Sequence, residues 1–140
     1  MDGNRKNASA NRQEKNKSDW SDKTILVADD AKINYLLFKT MLGNTRANVI
    51  WAKDGKGAVD ICKSGPVDLV LMDYQMPGMN GLEASLRIKK MKENMPVISQ
   101  SSSREGSQEF ASICSGCDDF IIKPVKKEHL LAKLGRYLNG

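Results

Sequence analysis

Residues 67–81 read VDLVLMDYQMPGMNG. The run Leu69, Val70, Leu71, Met72 is apolar without alternation, the pattern of a strand buried on both faces of a parallel sheet. It stops at Asp73. A carboxylate where a buried strand surfaces is unfavourable unless something uses its charge, because burial disfavours the ionised form. Behind it Pro77, Gly78, Asn80 and Gly81 form a dense set of turn residues that returns the chain into a helix. Taken alone, Asp73 is as readily a strand end that meets water or caps the next turn as it is a reactive acid. The flanking chain decides between the two.

Upstream, Thr24–Ala28 (TILVA) is a strand-like run that ends at Asp29 and Asp30. The spacing over Ala31–Leu42 predicts a helix with Ile33, Leu36, Leu37, Thr40 and Met41 on its apolar side, stopping at Gly43. Asn48–Ala52 reads as a second strand and Gly57–Lys63 as a short helix built on Ala58, Val59, Ile61 and Cys62. Downstream, a helix over Gly81–Lys92 buries Leu82, Ala84, Leu86, Ile88 and Met91, while Arg87, Lys89, Lys90 and Lys92 form a solvated face. Met95–Gln100 is a fourth strand, with Pro96 where a missing donor is tolerated, and it runs into Ser101, Ser102 and Ser103. A weaker helix spans Glu105–Ser115. Phe120–Ile122 is a fifth strand ending at Lys123, and the last helix, Lys126–Leu138, has Leu130, Leu131, Leu134 and Leu138 on one side. Strands alternating with helices in this way imply an α/β doubly wound parallel sheet with helices on both faces. Ligands of such sheets bind beyond the carboxyl ends of the strands.

The 140 residues suffice for one domain with one core. That domain is expected over 24–140. Residues 1–23 are rich in Asn, Lys, Ser and Asp and read as a disordered polar tail or linker, with Trp20 as the single large apolar side chain and the one candidate to pack back on the domain edge. No apolar run approaches the roughly 20 residues that span a bilayer, so membrane contact by this segment is not expected and a cytoplasmic location is. The net charge of +5 is spread along the chain, without the basic stripe and interleaved aromatics of a nucleic-acid binder. Cys62, Cys114 and Cys117 are too few and too odd in number for a secreted disulfide framework, and with His129 the only histidine they cannot complete a convincing zinc site. They read as ordinary half-buried thiols.

The polar residues gather at one edge. The strands end in Asp29 and Asp30, in Asp73, in Ser101 and in Lys123. Carboxylates a few Å apart repel by a few kcal/mol per pair even at an effective dielectric of about 20, so the cluster wants a cation. Carboxylates plus waters suit Mg²⁺. An acid nucleophile beside Mg²⁺, a lysine and a hydroxyl is a constellation for phosphoryl transfer to a carboxylate.

With LVADD, LVLMDYQMPGMNG, the strand into Ser101, and DDFIIKP in this order and spacing, the chain over about Thr24–Leu138 resembles the receiver domains of two-component response regulators. The resemblance implies a flavodoxin-like sheet of strand order 2-1-3-4-5. It implies Asp73 as phosphoacceptor, and Mg²⁺ held by Asp30, Asp73 and the main-chain carbonyl of Gln75, with Asp29 acting through a metal-bound water. Lys123 would pair with the phosphoryl group, Ser101 would swing in to hydrogen-bond it, and Phe120 would be the aromatic switch residue, here without the commoner tyrosine hydroxyl. Asn34 would help recognise the donor. Gln75 and Ser103 stand where the family tunes hydrolysis of the aspartyl phosphate, so autodephosphorylation is expected. The implied partners are a histidine kinase domain or a histidine phosphotransfer protein, with no direct nucleic-acid contact. The WSDK entry into the first strand resembles the receiver at the C-terminal end of hybrid sensor histidine kinases, at the cytoplasmic end of a membrane-anchored protein; a stand-alone regulator is the other reading.

Three further readings compete. A phosphatase of the dehalogenase type also uses a strand-end Asp and Mg²⁺, yet wants a second Asp two residues on, where this chain has Gln75. A receiver-like docking module that does not turn over phosphate would not need the acids, Ser101 and Lys123 together. His129 as a phosphohistidine carrier would call for an all-helical bundle.

Overall fold

The computed structural model describes residues 18–101 and 116–139. Its elements are β1 (Thr24–Ala28), α1 (Lys32–Met41), a 3-10 turn (Gly43–Thr45), β2 (Asn48–Ala52), α2 (Gly55–Ser64), β3 (Leu69–Asp73), α3 (Gly81–Met91), β4 (Val97–Ser101), β5 (Asp119–Ile122) and α4 (Lys127–Leu138). The strands form one all-parallel sheet in the order β2-β1-β3-β4-β5. This is the doubly wound architecture implied by the alternation of runs. The helix expected over Glu105–Ser115 lies outside the described residues, as do Ser102, Ser103 and Cys114.

Successive strand side chains point to opposite faces, so an unbroken apolar run is filled only when both faces are covered. One face carries Ile25, Val27, Leu69, Leu71, Ile98 and Ile121 against Phe38 of α1 and Leu130, Leu134 and Leu138 of α4. The other carries Leu26, Ala28, Val70, Met72 and Val97 against Ala58, Val59 and Cys62 of α2 and Ala84 and Ile88 of α3. Burial pushes the Cys62 thiol up to about 11, which keeps it a protonated packing group. Cys117 is half-buried, its sulfur 2.9 Å from the Ser99 hydroxyl.

Local chemistry sets where the helices begin. The Asp54 carboxylate accepts the Gly57 N–H at 2.7 Å, and this N-cap starts α2 at Gly55, ahead of the expected Gly57, despite the poor helix propensity of both glycines. Asn80 caps α3 in the same way, accepting from Glu83 N at 2.9 Å. Gly81 has a steric reason: a Cβ there would lie 2.2 Å from the Asp73 carbonyl oxygen. A glycine therefore lets α3 start directly against the end of β3.

The structure corrects the expected apolar faces of two helices. On α1 the buried residue is Phe38, whereas Ile33, Leu36 and Leu37 are 63%, 42% and 51% exposed. The sequence KINYLLFKTM carries two apolar sides, Tyr35/Phe38/Met41 and Ile33/Leu36/Leu37, and spacing does not choose between them. On α3, Ala84, Ser85 and Ile88 face the sheet, while Leu86 and Met91 are exposed. β4 extends one residue further than expected, because Ser101 still pairs with Ile122.

The domain also begins before Thr24. Trp20 is 2% exposed within the α1/α4 core; its N–H donates to the Thr45 carbonyl at 2.8 Å and its indole Nε1 to Asn139 Oδ1 at 2.7 Å. A large aromatic ring gains enough by burial to recruit the backbone around it, so it belongs to the packed domain rather than to the tail.

Candidate functional site

β1 and β3 are adjacent, and at their carboxyl ends one carboxylate oxygen from each of Asp29, Asp30 and Asp73 lies within 4.8 Å of the others. The three differ in setting. Asp29 is fully buried, Asp73 is 8% exposed and Asp30 faces solvent.

Asp29 is gripped from several sides. Its Oδ1 accepts the Ala31 N–H at 2.9 Å, and the Asn34 amide donates to both carboxylate oxygens at 3.2 Å. Lys123 Nζ stands 3.5 Å from Asp29 Oδ2. Asn34, expected as a contact for an incoming donor, has its amide occupied by this acid.

Asp73 is held more loosely: among the described residues its Oδ1 accepts a long 3.3 Å bond from Gln75 N–H. Burial raises the Asp73 carboxyl to about 6; Lys123 opposes the rise, and the charges of Asp29 and Asp30 add to it. The acid is thus still mostly ionised at neutral pH while its charge is poorly compensated, which marks a group that gains from a cation. Three hard oxygen donors on separate side chains, one open to solvent, are a donor set for a divalent cation of the Mg²⁺ type.

The remaining candidates lie around this cluster. Ser101 ends β4, one residue beyond the register partner of Asp73, and is 8% exposed. Its carbonyl accepts the Lys123 N–H at 2.7 Å, which ties the hydroxyl-bearing strand end to the lysine. Gln75 is exposed in the loop after β3. Phe120 lies on β5, half-buried, with Lys133 Nζ 5.8 Å from its ring centre. His129 is an exposed residue of α4, remote in role from the acids.

One contact of the site has no sequence signal. The Trp51 indole Nε1 donates to the Asp29 main-chain carbonyl at 2.8 Å, although Trp51 reads simply as a strand residue of β2. Beside the site, a cavity of about 400 Å³ is lined by Asn34, Leu37, Phe38, Met41, Lys123, Pro124 and Val125, joining the exposed side of α1 to the lysine.

Comparison with known proteins places this geometry. The response regulator receiver domain model matches residues 25–135. The autoinducer 1 sensor kinase/phosphatase LuxN of Vibrio campbellii is 36% identical over 116 residues, which cover 83% of this chain and 14% of LuxN. The chain therefore spans about a seventh of that relative's length. The receiver domain of the sensor histidine kinase PA1611 from Pseudomonas aeruginosa PAO1, solved with a magnesium ion coordinated in its active-site cleft, superposes with a TM-score of 0.76 at 25% identity, over 84% of this chain and 98% of that one. The Saccharomyces cerevisiae receiver domain of Ssk1, solved with the histidine phosphotransfer protein Ypd1, gives 0.74 at 25% identity, over 83% and 88% of the two chains. The chain belongs to the response regulator receiver domain family of two-component signalling.

Proposed function

We propose that this receiver accepts a phosphoryl group on Asp73 from a phosphohistidine and uses it to switch a binding surface in a phosphorelay. The observation that carries the reading is the state of Asp73: a nearly buried strand-end carboxylate, raised to about 6, with a lysine and two further acids around it. An Asp73 oxygen attacks phosphorus; the new O–P bond forms as the N–P bond to the donor imidazole breaks, and the bond's electron pair leaves with that nitrogen. A Mg²⁺ held by Asp30, Asp73 and the Gln75 carbonyl, with Asp29 acting through a bound water, would supply charge neutralisation for the phosphoryl oxygens. Lys123 leaves its 3.5 Å pairing with Asp29 to meet the new phosphoryl charge. Ser101 hydrogen-bonds a phosphoryl oxygen, and because its carbonyl is bonded to Lys123 N–H, serine and lysine respond together. Phe120, register neighbour of Ser99 on β4, follows that movement as the switch residue.

The donor docks on α1. Ile33, Leu36 and Leu37 form an exposed apolar side next to the cavity that reaches Lys123, a surface suited to the helices of a histidine kinase domain or phosphotransfer protein. The Ssk1 receiver, solved with such a protein, supports that class of partner.

The test is intact mass after incubation with acetyl phosphate and Mg²⁺, for the wild type and Asp73→Asn. A labile gain of one phosphoryl group that needs Mg²⁺ and is absent from the variant is expected. No gain in a wild type that binds Mg²⁺ would instead indicate a docking module without phosphate turnover.

A further inference from the structure

The ladder between β1 and β2 ends at the pair Ala28 and Ala52. One residue further, the Asp29 N–H still donates to the Ala52 carbonyl at 3.0 Å, and the Asp29 carbonyl takes its bond from a side chain, the Trp51 indole at 2.8 Å. The chain of β2 is by then turning into α2 at Gly55. The indole supplies the donor that the departing backbone does not.

The ring is held in place from α1. Tyr35 stacks on Trp51 with centroids 5.8 Å apart and planes 17° from parallel, and Lys32 Nζ sits 5.8 Å from the ring centre. The Tyr35 hydroxyl donates to the Val49 carbonyl at 3.2 Å. Adjacent residues of α1 thus serve one acid: Asn34 grips the Asp29 carboxylate, and Tyr35 orients the ring that grips the Asp29 carbonyl.

The consequence falls on Asp30. A peptide unit is planar, so the Asp29 carbonyl and the Asp30 N–H and Cα share one plane. Fixing the oxygen fixes the position of the Asp30 Cα, the point from which its side chain leaves the backbone. Asp30 is exposed and has no buried packing to orient it, in contrast to Asp29. We propose that the Trp51 indole N–H is a positioning group for the Asp30 carboxylate in the cation site. This rests on the reading that Asp29, Asp30 and Asp73 hold a divalent cation. Trp51 touches neither cation nor phosphoryl group; it sets the peptide plane from which a ligand projects, as outer hydrogen bonds orient metal ligands generally.

Two measurements on Mg²⁺ binding test it. In the wild type labelled with ¹⁵N, the Trp51 indole N–H signal should move on saturation with Mg²⁺ while that of Trp20, bonded to Asn139, stays in place. By calorimetry, Trp51→Phe, which keeps an aromatic ring for Tyr35 but deletes the donor, should bind Mg²⁺ about tenfold more weakly, the low end for lost outer-shell partners. Asp30→Asn should lose binding altogether. An unmoved Trp51 indole at saturation, or a folded Trp51→Phe with affinity within about twofold of wild type, would overturn the role of Trp51 while leaving the cation site standing. A wild type that binds no Mg²⁺ at all would overturn the cation reading itself. Should Trp51→Phe fail to fold, the indole signal of the wild type decides.

Discussion

Replacing Asp73 by asparagine should stabilise the metal-free fold at neutral pH. The Asp73 carboxyl is raised from 3.8 to about 6, so the folded state holds its proton more tightly than the unfolded chain does. For an acid shifted upward, the sign of the linkage is destabilising at high pH: no penalty below about 3.8, a growing penalty up to 6, and the full penalty above it. A shift of about two units is worth about 3 kcal/mol, an upper figure because water reaching the site screens the charge. Asparagine has the shape of the protonated acid and carries no charge, so the variant escapes the penalty. Urea unfolding in EDTA at several pH values is the assay. The variant should exceed wild type by about 2–3 kcal/mol at pH 7.5, with the gap closing through pH 6 and gone near pH 4. Saturating Mg²⁺ should narrow the gap at pH 7.5 by stabilising the wild type, since a ligand of the native state adds its binding free energy. A variant no more stable than wild type at pH 7.5, or a gap that ignores pH, would refute the account of Asp73 as a desolvated charge within an acid cluster.

Further outcomes follow from the same geometry. Lys123→Met removes the charge that opposes the rise at Asp73, so the pH midpoint for acetyl phosphate labelling, read by intact mass, should move upward and the yield at pH 7 should fall. Leu37→Glu alters a side chain 51% exposed, so its melting temperature should stay within about 2 °C of wild type, while transfer from a phosphohistidine protein drops at least about tenfold and acetyl phosphate labelling persists. Trp20→Ala empties a core position and breaks the Asn139 bond, and should lower the unfolding free energy by about 3–5 kcal/mol in urea. Gln100 is fully buried with neither amide atom hydrogen-bonded among the described residues, so Gln100→Met should raise stability by about 1–3 kcal/mol in the same measurement.

Much of the site was legible because its chemistry is local to the strand ends. An apolar run that stops at an acid needs no partner to be read, and each of Asp29, Asp30, Asp73, Ser101 and Lys123 follows or ends such a run. The structure brings the three acids within 4.8 Å and sets Lys123 beside them, as the order of runs implied. Gln75 and Phe120 stood out only through family resemblance. Trp51 was not legible at all: its bond to the Asp29 carbonyl joins residues 22 apart through a main-chain acceptor, which no residue type announces.

What the amino-acid order determined by itself is the alternation of buried strands with amphipathic helices and the edge at which the charged residues collect, because strand burial and turn chemistry act over a few neighbouring residues. The tertiary structure alone decided which apolar side of α1 meets the sheet, that Trp20 closes the core against Asn139, and how the Asp29–Asp30 peptide is held. Each of these is a choice between local solutions of similar energy. It is settled by which surfaces meet when the sheet and its helices pack, and the free energy that settles it comes from contacts between residues far apart in the chain.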